Sequence, residues 1–252
     1  MIALDFDGVV WDSVDEAFEQ AYRVWIELFG MPGTTRSTLL DEFRRARWQC
    51  RDGHDFYLVM RLLVEQSVDA GKLASEKFRR LRAELGGQAA VEQFVTAFYN
   101  QRDAMRQHQF QEWLSLQRPF PGMVETLCAF QQQGAALAIA TTKDAPSARS
   151  LLESAGLHGI PVFGRETSLN KVDHMKAIAK RFHTDTGRIV FVDDLLENLL
   201  PLRPLKVHLV LADWGYNTPG ERVAAQNEGI PVASLDSFAS MMMALYLLKK
   251  RS

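Results

Sequence analysis

An α/β fold built on a doubly wound parallel sheet is predicted by three observations. Short apolar runs without polar alternation recur as IAL before Asp5, ALAIA before Thr141, RIVFV before Asp193 and KVHLVLA before Asp213. That is the pattern of strands covered on both faces. Helical patterns separate the later runs, giving a βαβα rhythm from about residue 117 onward. Residues 13–116 show no convincing strand and carry apolar residues at helical spacing. The expected organisation is a core domain from 1–12 and 117–252, with an all-α domain inserted at 13–116.

Each element has a local reason. The first strand runs into Asp5 and Asp7, and Gly8 suits a tight turn directly after them. Ser13, with Glu16 three residues on, predicts a capping box that opens the first inserted helix. AFEQAYRVWIELFG, DFYLVMRLLVEQ and VEQFVTAFYNQRDAM carry the insertion's helical periodicity, and EKFRRLRAE reads as a solvated helix face. Pro121 and Gly134 bracket one core helix and Pro146 and Gly156 the next. NKVDHMKAIAKRFH and ERVAAQNEG continue the alternation, and FASMMMALYLLKK predicts a final helix with a core-facing stripe.

Composition narrows the classes. A chain of 252 residues with 47% hydrophobic content can bury a substantial core, and its net charge of −2 carries no nucleic-acid footprint. Two well-separated cysteines, Cys50 and Cys128, predict a reduced protein without a disulfide frame or thiolate metal cluster. No basic leader with a long apolar stretch opens the chain, and MMMALYLL is far shorter than the roughly 20 residues that span a bilayer. The expectation is a soluble cytoplasmic protein, monomeric or homodimeric, without nucleic-acid or membrane partners.

In open α/β sheets, ligands bind beyond the carboxyl ends of the strands. Asp5 and Asp7 follow the first run, Thr141, Thr142 and Lys143 the second, and Asp193 and Asp194 the third, with Lys171 at a helix start between the last two groups. Carboxylates converging on one edge repel unless a cation offsets them, and an all-oxygen donor set favours a hard one such as Mg²⁺.

DFDGVVWDS, ATTKD, the isolated Lys171 and VDDLLEN resemble, in order and spacing, the four motifs of the haloacid dehalogenase-like (HAD) hydrolases. PFPGMVETL and WGY echo the same family, and the helical insertion resembles the C1-type cap of its subfamily I, phosphoglycolate phosphatases among them. The resemblance implies a Rossmann-like three-layer αβα core and a Mg²⁺-dependent phosphatase acting on a small phosphorylated metabolite. Asp5 would be the nucleophile and Asp7 the general acid–base, with its backbone carbonyl on the metal. Asp194, with Asp193, would complete the metal site; Thr141 would donate to the phosphoryl group; Lys171 would neutralise it. Thr142 and Lys143 would border the phosphate, an exposed loop being the alternative for both. Asp7 favours phosphoryl transfer over carbon–halogen cleavage, because dehalogenase members typically carry a different residue there. Many relatives place an aspartate four residues after the Asp194 position, where this chain has Asn198.

Alternatives stay open at this level. Asp5 and Asp7 also fit a strand-to-turn cap, and Asp193 or Asp194 fits an N-cap of LLENLL. RRARWQCRDGHDF offers Arg47, Arg51 and His54 as substrate-anion contacts or as a solvated helix end. Trp11 fits an inter-domain contact or a substrate-facing position. A phosphomutase or a phosphonatase would use the same scaffold, the latter needing a Schiff-base lysine such as Lys72 or Lys77. A catalytically silent binding protein is the remaining reading.

Overall fold

The first strand, β1 (Ile2–Leu4), is three apolar residues with no exposed surface. In the computed structural model, which describes residues 1–65, 72, 74–85 and 87–251 (side chains of 247–251 excepted), β1 is paired in parallel on both edges. On one side lies β2 (Leu137–Ala140), with Ala3 opposite Ala138; on the other lies β4 (Val190–Asp193), with Ala3 opposite Phe191. Outward from these lie β3 (Val162–Phe163), β5 (His208–Ala212) and β6 (Val232–Ala233), all parallel. The spatial order is β3-β2-β1-β4-β5-β6, a Rossmann-like arrangement whose order reverses between β1 and β4. β3 and β6 were not foreseen, because two residues carry no periodicity.

The core helices start where their capping residues place them. Asp144 accepts from Ser147 N at 2.8 Å ahead of helix Ala145–Ser154, and Asn170 accepts from Asp173 N at 2.9 Å ahead of helix Lys171–Arg181. Thr218 and Glu221 form a reciprocal capping box on helix Pro219–Asn227. The last helix, Leu235–Arg251, buries Phe238 and Met242, and the Phe238 ring lies 5.5 Å from that of Trp214. The terminal part of its predicted apolar stripe lies outside the described side chains.

The chain divides into two compact units, Met1–Asp12 with Pro119–Ser252, and Ser13–Arg118. The second unit holds helices Val14–Phe29, Arg36–Ala46, Gly53–Val64, Ser75–Leu85, Ala89–His108 and Phe110–Ser115 around an aromatic core of Phe18, Phe43, Phe56, Phe94 and Phe98. The capping box expected at Ser13 does not form: Ser13 makes no side-chain cap bond, and Glu16 is fully buried. Its carboxylate instead takes Arg102 Nε and Nη2 at 2.8 and 2.7 Å and Trp113 Nε1 at 3.2 Å. A buried carboxylate needs a charged partner more than a helix end needs a cap. Both cysteines are free, and among the described residues no helix is long and apolar enough to cross a membrane.

Candidate active site

Asp5 still follows the ladder, its N donating to Val192 O at 2.8 Å. The chain then folds back on itself: Val10 N and Trp11 N both donate to Phe6 O at 2.9 Å, and the Trp11 indole stacks on Phe6 at 5.7 Å. Trp11 is thus an interior residue of the turn, 1% exposed. Gly8 sits at φ +89°, a region that side chains rarely adopt, and a Cβ there would collide with the Asp194 carboxylate and the Tyr216 ring. Gly215 is bare for a related reason, because its Cβ would enter the space of Asp194 and Gly8 O.

Lys171 opens the helix that follows β3 and is 5% exposed. Its ammonium donates to Ala140 O at 2.7 Å and lies 2.8 Å from Asp5 Oδ1 and 3.4 Å from Asp193 Oδ2. Burial pulls the Lys171 pKa down, but the Asp5 and Asp193 carboxylates outweigh it, so the net shift is upward and the amine stays charged. Asp5 Oδ1 also accepts from Phe6 N at 2.7 Å. Among the described residues, both of these donors fall on Oδ1.

Asp193 ends β4 and is fully buried. It accepts from Leu195 N at 2.9 Å and from Asn198 Nδ2 at 3.1 and 3.2 Å. Burial raises its carboxyl to about 7, opposed by Lys171 and reinforced by Asp5. Asn198 therefore spends its amide on Asp193. Asp194, also fully buried, accepts from Tyr216 N on Oδ2 at 2.5 Å, and its carbonyl accepts from Asn217 Nδ2 at 3.0 Å.

Asp7 takes a different partner. Lys143, its side chain wholly inside, places Nζ 3.3 and 3.5 Å from the two Asp7 oxygens. Thr141 is 1% exposed, and its Oγ1 accepts from Lys143 N at 3.1 Å, which fixes the loop after β2. Thr142 lies half-buried between them.

One carboxylate oxygen from each of Asp5, Asp193 and Asp194 lies within 4.8 Å of the others, all three buried. Three clustered carboxyl groups, of which Asp5 and Asp193 meet the Lys171 ammonium, offer oxygen alone and fit a hard divalent cation.

The three cap candidates lie in the helical unit with partners there. Arg47 is buried, donating Nη1 to Cys50 O at 2.8 Å with its guanidinium over Phe56, so the solvated-end reading fails for it. Arg51 donates Nη1 to Trp48 O at 2.7 Å, and His54 Nε2 lies 3.3 Å from Glu92 Oε1. Lys72 and Lys77 are both exposed. Sequence reasoning missed His174, fully buried one turn after Lys171 with Nε2 3.1 Å from Gly164 O. The i, i+3 spacing from a buried lysine is the signal that could have found it. It also passed over Tyr216, noted only within WGY.

The family model for haloacid dehalogenase-like hydrolase matches residues 1–204. A protein of Dickeya dadantii (strain 3937) with the name "Probable phosphatase IndB" is 33% identical over 159 residues, 59% of this chain and 67% of that protein. A phosphoglycolate phosphatase of Agrobacterium fabrum (strain C58) is 30% identical over 134 residues, 51% of this chain and 55% of its own length. The chain thus spans about half of that second relative. Among solved structures, a predicted phosphoglycolate phosphatase from Haemophilus somnus 129pt superposes with a TM-score of 0.66, covering 96% of this chain and 97% of its own. At 16% identity, that likeness is one of fold.

Proposed function

The chain belongs to the haloacid dehalogenase-like hydrolase family, and on that premise we propose that it is a Mg²⁺-dependent phosphatase of a small phosphorylated metabolite. The observation that carries the reading is the Lys171 ammonium 2.8 Å from Asp5 within a buried carboxylate cluster, with Asp7 two residues on and separately held. The phosphatase names of the relatives support the substrate class.

In this reading the Asp5 carboxylate attacks phosphorus as the phosphorus–oxygen bond to the leaving group breaks, and Asp5 becomes an aspartyl-phosphate. Lys171 and Phe6 N grip Oδ1, which leaves Oδ2 for the attack. Asp7 gives its proton to the departing alkoxide. It then takes a proton from the water that attacks the aspartyl-phosphate, releasing inorganic phosphate and restoring Asp5. Lys171 and the Thr141 hydroxyl stabilise the charge on the phosphoryl oxygens. Asp193, fixed by Leu195 N and Asn198, orients Lys171. Asp5 and Asp194, with Asp193 beside them and the Asp7 backbone carbonyl as a further oxygen, would hold the cation. When bound, Mg²⁺ supplies positive charge that offsets repulsion between the carboxylates and the phosphoryl group. Residues 13–118 would serve as a cap that excludes water. Arg47, Arg51 and His54 of that unit, and Thr142 and Lys143 of the core unit, are the candidate substrate contacts.

The test is hydrolysis of p-nitrophenyl phosphate by the full chain with Mg²⁺, with EDTA, and as Asp5→Asn. We expect Mg²⁺-dependent turnover that Asp5→Asn abolishes. Equal background rates in all three samples would overturn the reading in favour of a silent binding protein. A panel of phosphorylated metabolites then identifies the substrate.

A further inference from the structure

The loop after β5 is tied down at Trp214, Tyr216 and Asn217. Trp214 Nε1 donates to Val9 O at 3.0 Å, and Gly215 passes too close to Asp194 and Gly8 O to carry a side chain. Asn217 Nδ2 donates to Ala212 O at 2.7 Å and to Asp194 O at 3.0 Å, while its own carbonyl oxygen accepts from Arg222 Nε at 2.8 Å. Tyr216 is the residue that spans the loop. Its backbone N reaches Asp194 Oδ2 at 2.5 Å, and its phenol donates to Asp12 Oδ1 at 2.9 Å. Asp12 is the last residue of the core unit before the chain departs into the helical one.

These contacts set Asp194 in a frame built from backbone. Gly8 lies on one side, Gly215 on another, and the Tyr216 amide aligns one carboxylate oxygen. An amide fixes a carboxylate only as well as its own peptide plane is fixed. The peptide plane of Tyr216 is anchored through a rigid side chain whose far end rests on Asp12. We infer that Tyr216 is a positioning residue, which sets the orientation of the Asp194 carboxylate toward a divalent cation through its bond to Asp12. The inference rests on the proposed metal site and goes beyond it, because neither the Tyr216 phenol nor Asp12 belongs to the candidate donor set. Orienting groups outside the ligand shell commonly change metal affinity 10–100-fold. A single side-chain tether acting through one backbone amide is weaker, and a loss of about threefold to tenfold is expected.

The test uses Mn²⁺ as the probe, titrated into the full chain and read from the free-ion electron paramagnetic resonance signal. Circular dichroism confirms folding of each variant, and the mildest removes one oxygen atom. Tyr216→Phe and Asp12→Ala are each expected to weaken Mn²⁺ binding about threefold to tenfold. Asp12→Asn, which keeps an acceptor oxygen, is expected to bind as the parent does. The double variant Tyr216→Phe/Asp12→Ala is expected to be no weaker than the worse single one, because both cut one tether. Unchanged Mn²⁺ affinity in Tyr216→Phe, or additive losses in the double variant, would overturn the inference and leave the proposed reaction standing. A parent that binds no Mn²⁺ would overturn both. A parent that binds Mn²⁺ but hydrolyses no phosphate ester would overturn the reaction alone.

Discussion

His174 should make the core unit sensitive to acid in a window that can be stated in advance. Burial, and then the neighbouring Lys171 charge, lower its pKa to about 4 from the ordinary 6.5. Between those values the unfolded chain binds a proton that the native protein refuses, so stability rises with pH. The contribution is complete above pH 6.5 and is lost as pH falls through the window toward 4. The difference of about 2.5 pH units, at roughly 1.4 kcal/mol each, comes to about 3 kcal/mol. Asp193 works the other way in the metal-free protein. Its carboxyl is raised to about 7, so the native state there holds the extra proton and stability falls as pH rises from 3.8. Burial raises Asp55 to about 6 in the same direction as Asp193, so the raw profile blends all three, and the difference between parent and His174→Gln isolates His174. Urea denaturation followed by circular dichroism, in EDTA and at half-unit steps from pH 4 to 7.5, gives the stability of parent and variant. The advantage of the parent should grow by about 3 kcal/mol from pH 4 to 7. A difference that stays constant across the window would refute the burial argument.

Gly8→Ala should cost about 2–5 kcal/mol, combining left-handed backbone strain with overlap on Asp194. It would show as a fall in Tm of about 10 °C. Arg102→Ala strands the fully buried Glu16 carboxylate and should destabilise the protein by about 3–5 kcal/mol, read by urea denaturation. Lys171→Met should lower kcat/KM for p-nitrophenyl phosphate at least about 100-fold. The same variant leaves Asp5 and Asp193 of the carboxylate cluster without their buried ammonium, so its Tm should gain more from added Mg²⁺ than the parent's does.

Much of the site was legible because its residues sit at points the chain must pass. Asp5 directly follows a strand that is apolar throughout, Asp193 closes another, and Lys171 opens a helix, so topology alone brings them to one sheet edge. The long strands were legible from unbroken apolar runs; β3 and β6 were not, since their two residues are held by neighbouring strands. Ser13 and Glu16 show the limit of local rules. A capping box is a local contest, and a guanidinium 86 residues away won it. Lys143 was read as a phosphate-bordering residue, and its grip on Asp7 depends on a side-chain path that spacing does not encode. His174 and Tyr216 stayed hidden for the same reason. Their roles come from what packs beside them.

The Glu16–Arg102–Trp113 network also bears on how the chain folds. β1 cannot be completed until residues 137–140 and 190–193 arrive on its two edges, so its partners lie beyond the whole inserted unit. Closing so long a stretch costs entropy that grows with the logarithm of its length. Glu16 stands near the start of the insertion and Trp113 near its end, and the two meet at 3.2 Å across 97 residues. Once the helical unit forms, its two ends are already neighbours. The effective loop that β1 must close shrinks to a fraction of its length, an entropic saving of about 1 kcal/mol. The insertion then acts as a folding splint, and the order of events it favours is helices first, central strand last.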